Sequence, residues 1–321
     1  MICPELHYRK TDKGIMITAC FGYDGEIFLP DEIDGVPITA IAPYAFAENE
    51  VSEEDEVWIN DEALLLSPRE HLTASKITMI SLPDGIWEIG RYAFYRCRNL
   101  KKLVLSDGIL EIGGGALNGC RIEEVEIYCR RGRRSALKSV LDEIRFEIHA
   151  VLHYVMEDGS IETADVLFPE HYEEAVENTP ARILYTSHHG AGGYYRQCFY
   201  NRELDYKKYD ELFFRAVAEG EEETNIRLAA GRLRHPFQLT EKAEEQYERY
   251  IREHLNRALL FLVENEDKDM LHFFSERAFF SEEALEEGID YAALSKKTEI
   301  LGILMEEKRK LYPKKRKTFD L

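Results

Sequence analysis

His188, His189 and Cys198 lie close together around Gly190, Gly192 and Gly193, in "HYEEAVENTPARILYTSHHGAGGYYRQCFY" (171–200). A thiol beside an imidazole forms a nucleophile–base pair if a turn brings Cys198 back to either histidine. The stretch is therefore an alternative site, either ligand-binding or of a Cys/His hydrolase type. Against it, adjacent histidines on a strand point to opposite faces and make a poor chelating pair. "GAGG" is neither the dinucleotide fingerprint nor a P-loop, since no Lys-Ser/Thr follows. The favoured reading is a β-hairpin with Tyr194 and Tyr195 exposed. No H-E-x-x-H or inward Glu/His pair occurs on the later helices, so no catalytic residue, metal or cofactor is expected.

The whole chain sets limits on these chemistries. It has 321 residues, with 41 Lys and Arg against 61 Asp and Glu, for a net charge of −20. A body this acidic repels phosphate backbones, which disfavours nucleic acid as a partner. The exception is the cluster Lys308, Arg309, Lys310, Lys314, Lys315, Arg316 and Lys317, read as a solvated end. No segment reaches the ~18 apolar residues of a membrane span, and no signal peptide pattern opens the chain. Six cysteines without a C-x-x-C pair point to reduced thiols, so a cytoplasmic protein is expected.

The elements that must position any site are announced by a repeat. "ITMISLPDGIWEIGRYAFYRC" (77–97) aligns with "LKKLVLSDGILEIGGGALNGC" (100–120). Asp84-Gly85, Ile86, Glu88, Ile89, Gly90, Ala93 and Cys97 fall on Asp107-Gly108, Ile109, Glu111, Ile112, Gly113, Ala116 and Cys120. A further turn begins at Ile122, Val125 and Ile127. An earlier one places Ile27, Leu29, Ile38, Ile41, Ala45 and Phe46 at the same points. One unit cannot bury its apolar edge, but stacked units share a core. Ile80-Ser81-Leu82 and Leu103-Val104-Leu105 read as short strands. The Asp-Gly pairs read as turns needing unusual backbone angles, and Cys97 and Cys120 as structural thiols in a column.

This pattern resembles the BspA-type, or Treponema pallidum-type, leucine-rich repeat over roughly residues 20 to 128. The resemblance implies a short curved solenoid with a strand-lined face and a role in protein or surface binding. Residues 47–76 are longer than a regular unit and read either as a degenerate repeat around Val57-Trp58-Ile59, the favoured reading, or as an acidic loop. Ser81, Lys102, Val104 and Glu126 take outward strand positions and are the expected binding residues.

Beyond Tyr128 the period is lost. Leu137, Val140, Leu141 and Ile144 have helical spacing and suggest a helix capping the solenoid. The preceding Arg130, Arg131, Arg133 and Arg134 read as neutralising the acidic body rather than as a docking patch. Asp158-Gly159 marks a β-hairpin. From Leu204 onward every segment carries an apolar stripe, with Thr240 and Ser281 as N-caps. Met270-Leu271 and Phe273 recur as Ile300-Leu301 and Ile303, which resembles ankyrin-type helix pairs without their Thr-Pro-Leu-His motif.

The expected class is α+β. A leucine-rich-repeat solenoid with its end-capping helix occupies residues 1–145. A mixed β region follows over 146–203, and an ankyrin-like helical repeat domain with a basic tail over 204–321. The expected function is a non-enzymatic protein-interaction scaffold with a protein partner of unidentified kind; nothing in the sequence sets the oligomeric state.

Overall fold

The computed structural model describes residues 3–60, 69–178 and 183–313. The chain divides into two compact units, Met1–Gly220 and Glu221–Leu321. It is a mixed α+β protein with an N-terminal β-solenoid and, among the described residues, eight helices toward the C-terminus.

In the first unit the strands are β1 (Glu5–Thr11), β2 (Gly14–Gly22), β3 (Glu26–Phe28), β4 (Glu32–Ile33), β5 (Val36–Ile41) and β6 (Glu56–Ile59). They continue with β7 (Glu70–His71), β8 (Met79–Ser81), β9 (Glu88–Ile89), β10 (Lys102–Ser106) and β11 (Glu124–Cys129). Each coil contributes one strand to a parallel stack, β3 on β8, β8 on β10 and β10 on β11. A second line of pairing joins β5 to β9 and Ile89 to Ile112. At a third side, the turn corner, Phe46 N donates to Ala93 O at 2.8 Å and Phe94 N to Ala116 O at 2.9 Å. The repeated apolar residues fill the interior, with Ile27, Ile80, Ile86, Phe94, Leu103, Ile109 and Val125 at 0–1% exposure. Cys97 and Cys120 are buried as read, their thiols donating to the carbonyls of Phe46 and Phe94.

Three expectations need correction. Val57-Trp58-Ile59 is not a degenerate coil: β6 pairs antiparallel with β1 and so borders the N-terminal sheet. Coil 26–46 therefore stacks directly on coil 79–97. Second, Gly85 and Gly108 are absent from the left-handed residues. A Cβ there would lie 2.8 Å from Ile38 O and 2.9 Å from Ile86 O, so close approach between coils, not an unusual φ, demands glycine. Third, the sheet does not end at Tyr128.

Helix α1 (Leu137–Glu143) buries Leu137, Val140 and Leu141 as the spacing required. It leads into β12 (Ile148–Val155), which pairs parallel with β11 and extends the stack by one strand. Glu143 also caps the last turn corner, accepting from Gly115 N at 2.8 Å and Leu117 N at 2.7 Å. β13 (Ile161–Phe168) then folds back antiparallel through the expected turn, with Gly159 at φ 83°. β14 (Tyr172–Asn178) and β15 (Ile183–His189) form a separate hairpin, followed by the short helix α2 (Gly192–Tyr195). Helices α3 (Tyr206–Glu211) and α4 (Phe213–Glu219) complete this unit. Tyr209 closes the outer edge of β13, its hydroxyl donating to Leu167 O and accepting from Leu167 N.

The second unit holds α5 (Glu222–Arg234), α6 (Glu241–Glu253), α7 (Leu255–Glu264), α8 (Lys268–Glu276), α9 (Glu282–Leu294) and α10 (Thr298–Leu311). Thr240 and Ser281 cap α6 and α9 as read, accepting from Ala243 N and Ala284 N. Polar pairs recur at separations of 31–34 residues: His254–Glu222, Arg257–Glu223, Arg277–Glu244, Asn256–Glu287, Lys297–Glu266 and Ser275–Glu307. Such spacing is a ladder between equivalent positions of successive helix pairs. Lys308 and Lys310 pair with Glu286 and Glu307. Arg309 lies 3.9 Å from Glu306, and Lys314, Lys315, Arg316 and Lys317 lie outside the described residues.

Candidate functional site

Alternation along each strand builds the solenoid's outer sheet face. Leu103, Leu105, Val125, Ile127, Ile148, Ala150 and Leu152 point inward and are buried. The residues between them point out. One row across the sheet is Phe28, Ser81, Val104, Glu126, Val151 and Asp165, each in register with the next. The neighbouring rows carry Lys102, Glu124 and His149, then Tyr128, His153 and Thr163.

Glu126 is the centre of a polar network on this face. Lys102 Nζ lies 3.2 Å from its carboxylate, and the Tyr128 hydroxyl donates to it at 2.8 Å. His153 Nε2 is 3.1 Å from Glu126 Oε1, and Nδ1 is 3.3 Å from Thr163 Oγ1. Both ring nitrogens thus have partners, and the ring bridges the carboxylate on β11 and the hydroxyl on β13. The ring stacks on Tyr128 with centroids 4.8 Å apart. Beside it His149 Nε2 is 2.7 Å from Asp165 Oδ1.

Burial by itself would raise the Glu126 carboxyl, but the Tyr128 hydroxyl, Lys102 and His153 outweigh it and hold the pKa below the ordinary range. Burial would likewise lower Lys102, yet Glu126 and Glu124 raise it. The hydrogen bond to Glu126, with burial added, raises the Tyr128 hydroxyl. Both charged members are thus held ionised at neutral pH. The face presents fixed donors, acceptors and charges of both signs.

The four residues read from the sequence share this face. Ser81, Val104 and Glu126 lie in one row and Lys102 in the next. Val104 is only 9% exposed, so it supports the row rather than projecting from it. Tyr128, on β11, is not singled out by the repeat, and Asp165 on β13 with the β12 histidines His149 and His153 escape it because β12 extends the solenoid instead of following it. Their signal was the alternation in "IHAVLHYV", with His149, Val151 and His153 between Ile148, Ala150, Leu152 and Tyr154.

The histidine–cysteine stretch is arranged differently from the hairpin expected at its glycines. The hairpin is β14–β15, and the glycines instead lead into α2; Tyr194 is exposed but Tyr195 is fully buried. Gly192 is needed for packing, since a Cβ there would lie 2.0 Å from Pro169 O, and Gly190 takes φ 82°. His188 pairs in register with Glu173, and its side chain lies outside the described residues. His189 stacks on Tyr172 at 4.5 Å. A cavity of about 390 Å³ is lined by Asp142, Arg145, His171, His189, Tyr194 and Arg196, among others.

Arg196 is buried and donates to the carbonyls of Pro169, Gly192, Ile144 and Phe146, pinning β13, α1 and α2 together. Burial pushes its pKa down to about 10, which leaves it charged at neutral pH. Cys198 is fully buried with Sγ 3.7 Å from Tyr194 O, and burial pushes its thiol up to about 12. Such a thiol is protonated at neutral pH, the opposite of an activated nucleophile. Within the Arg130–Arg134 run, Arg130 pairs with Asp84 at 2.8 Å and Arg131 with Asp107 at 3.1 Å. Among the described residues, no group of three or more His, Cys, Asp or Glu is placed to hold a metal ion, and no helix is long and apolar enough to cross a membrane.

Stacked coils with one parallel strand each and a shared apolar interior define a leucine-rich-repeat-like β-solenoid. Residues 67–147 match a family described as "BspA type Leucine rich repeat region (6 copies)". Among solved structures, a leucine rich repeat protein of T. pallidum is similar: 21% identical, over 37% of this chain and 67% of that one, with a TM-score of 0.21. No curated relative matches the chain. Leucine-rich repeats generally serve protein–protein interaction, which suits a binding scaffold.

Proposed function

We propose that this protein is a non-enzymatic, cytoplasmic interaction scaffold of bacterial origin that docks a partner protein on the strand face around Ser81, Lys102 and Glu126. The observation that supports this reading is the in-register face itself, where Lys102, Glu126, Tyr128 and His153 hold one another in place. A rigid polar surface loses little side-chain entropy on binding, which favours specific recognition. The helix pairs of the second unit, linked by their ladder at 31–34 residues, supply a further repeat surface of ankyrin-like kind. The buried, protonated Cys198 is consistent with a non-enzymatic role.

Affinity capture with the full chain tests the proposal. The wild-type protein is expected to recover a reproducible partner that the variant Ser81→Arg/Lys102→Glu does not. Recovery of the same proteins by both, with both folded by circular dichroism, would sink the strand-face assignment.

A further inference from the structure

At the turn corner, on another side of the coil from the strand face, aromatic and basic side chains accumulate. Tyr44 and Tyr92 occupy equivalent points of successive coils, each in the left-handed region at φ 59° and 56°. Their rings stack with centroids 5.2 Å apart, and Tyr95 meets Tyr92 edge-on at 5.6 Å. Arg96, also left-handed at φ 61°, sets its guanidinium 5.0 Å from the Tyr95 ring centroid. In the third coil the equivalents are Gly115 and Gly119, at φ 70° and 83°. Glycine is the residue this backbone favours, so coils that place Tyr, Tyr and Arg here carry strain that side-chain function would justify.

The charges at this corner are unbalanced. Arg91, Arg96 and Arg98 form no ion pair among the described residues, whereas Arg9, Arg69, Arg130, Arg131 and Arg202 of the same unit each hold a carboxylate. Arg96 and Arg98 line a cavity of about 450 Å³ with Tyr44, Tyr95, Asn49 and one carboxylate, Glu48. In a chain of net charge −20, carboxylates are the commonest counter-charge, yet among the described residues none pairs with these three guanidiniums.

We infer that the tyrosine–arginine corner binds an acidic linear segment of a partner protein, independently of the strand face. Guanidinium forks match carboxylates in bidentate geometry, and the ring faces accept an apolar or aromatic side chain from the same segment. Nucleic acid is the poorer fit: it carries a charge at every nucleotide, of which three arginines would neutralise few, whereas a peptide can place its carboxylates at these three positions alone.

Fluorescence anisotropy with the full chain and a fluorescein-labelled oligo-glutamate peptide carrying one central Phe tests this. Saturable binding that weakens with added salt is expected, reduced about tenfold or more in Arg96→Glu/Arg98→Glu. Lys242→Glu/Arg249→Glu, with the same charge change in the second unit, should bind as wild type does. Arg96→Gly/Arg98→Ala removes the charge while giving the left-handed position the residue type found at Gly119. Loss of binding in that variant therefore separates charge from misfolding. The inference is overturned by absent saturable binding, by equal loss in the control variant, or by undiminished binding in Arg96→Gly/Arg98→Ala. Binding of labelled oligouridylate as tight as that of the peptide would overturn it in favour of RNA.

Discussion

Phe46 stacks on Phe94 with ring centroids 5.0 Å apart and planes 7° apart, although residues 47–76 separate their coils in the chain. Both rings are fully buried, and the Cys97 thiol donates to Phe46 O beside them. This contact makes the solenoid continuous across its longest interruption. Phe94→Ala should cost about 3–5 kcal/mol, for lost burial and a cavity that rigid coils close poorly. Urea unfolding followed by circular dichroism measures it; a cost below about 1 kcal/mol would mean the two coils do not stack.

Neighbouring glycines should behave in opposite ways. A Cβ at Gly113 would lie 2.4 Å from Arg91 N and 2.5 Å from Gly90 C, whereas one at Gly114 meets nothing within 4 Å. Gly113→Ala should destabilise by roughly 1–3 kcal/mol through forced separation of the coils. Gly114→Ala should stabilise by about 0.4–1 kcal/mol, because it narrows the unfolded ensemble at no native cost. Thermal midpoints of the two variants moving in the same direction would contradict the coil geometry.

The strand-face network has a pH signature. Glu126 has a folded pKa below its unfolded value, so its stabilisation is complete above about pH 4.3 and is lost as pH falls through the folded value. Glu126→Gln should lower the thermal midpoint near neutral pH and flatten its fall on acidification. Parallel midpoint curves for wild type and variant from about pH 6 to about pH 3 would show that the network contributes nothing.

All six cysteines are free and buried, and burial pushes both Cys129 and Cys198 up to about 12. Ellman's reagent should therefore label the folded protein slowly at neutral pH and all six thiols in denaturant. Rapid labelling of Cys198 in the folded chain would revive it as a nucleophile.

What could be read in advance followed from periodicity. Ile86, Ile89, Gly90 and Ala93 return as Ile109, Ile112, Gly113 and Ala116, and a repeated pattern fixes which edges are buried before any partner is known. The helix caps at Thr240 and Ser281 were equally local and equally legible. Long-range pairing was not: β6 finds β1 through register across the chain, and Val57-Trp58-Ile59 carries no mark of its partner. Close approach is hidden for the same reason, since Asp-Gly looks like a turn whether the glycine serves φ or a neighbouring carbonyl. At the candidate site, Ser81, Lys102 and Glu126 were visible because they fall between repeated residues. His149 and His153 were not, because β12 joins the sheet without repeating its motif.

The claim that the strand face is the docking surface is tested most directly by photo-crosslinking. p-Benzoylphenylalanine would replace Ser81, Lys102 or Thr163 on the face, with Glu253 at the end of α6 as the control position. The account predicts one common partner crosslinked from the three face positions and not from Glu253. Crosslinks from Glu253 alone, or different proteins from each face position, would contradict it.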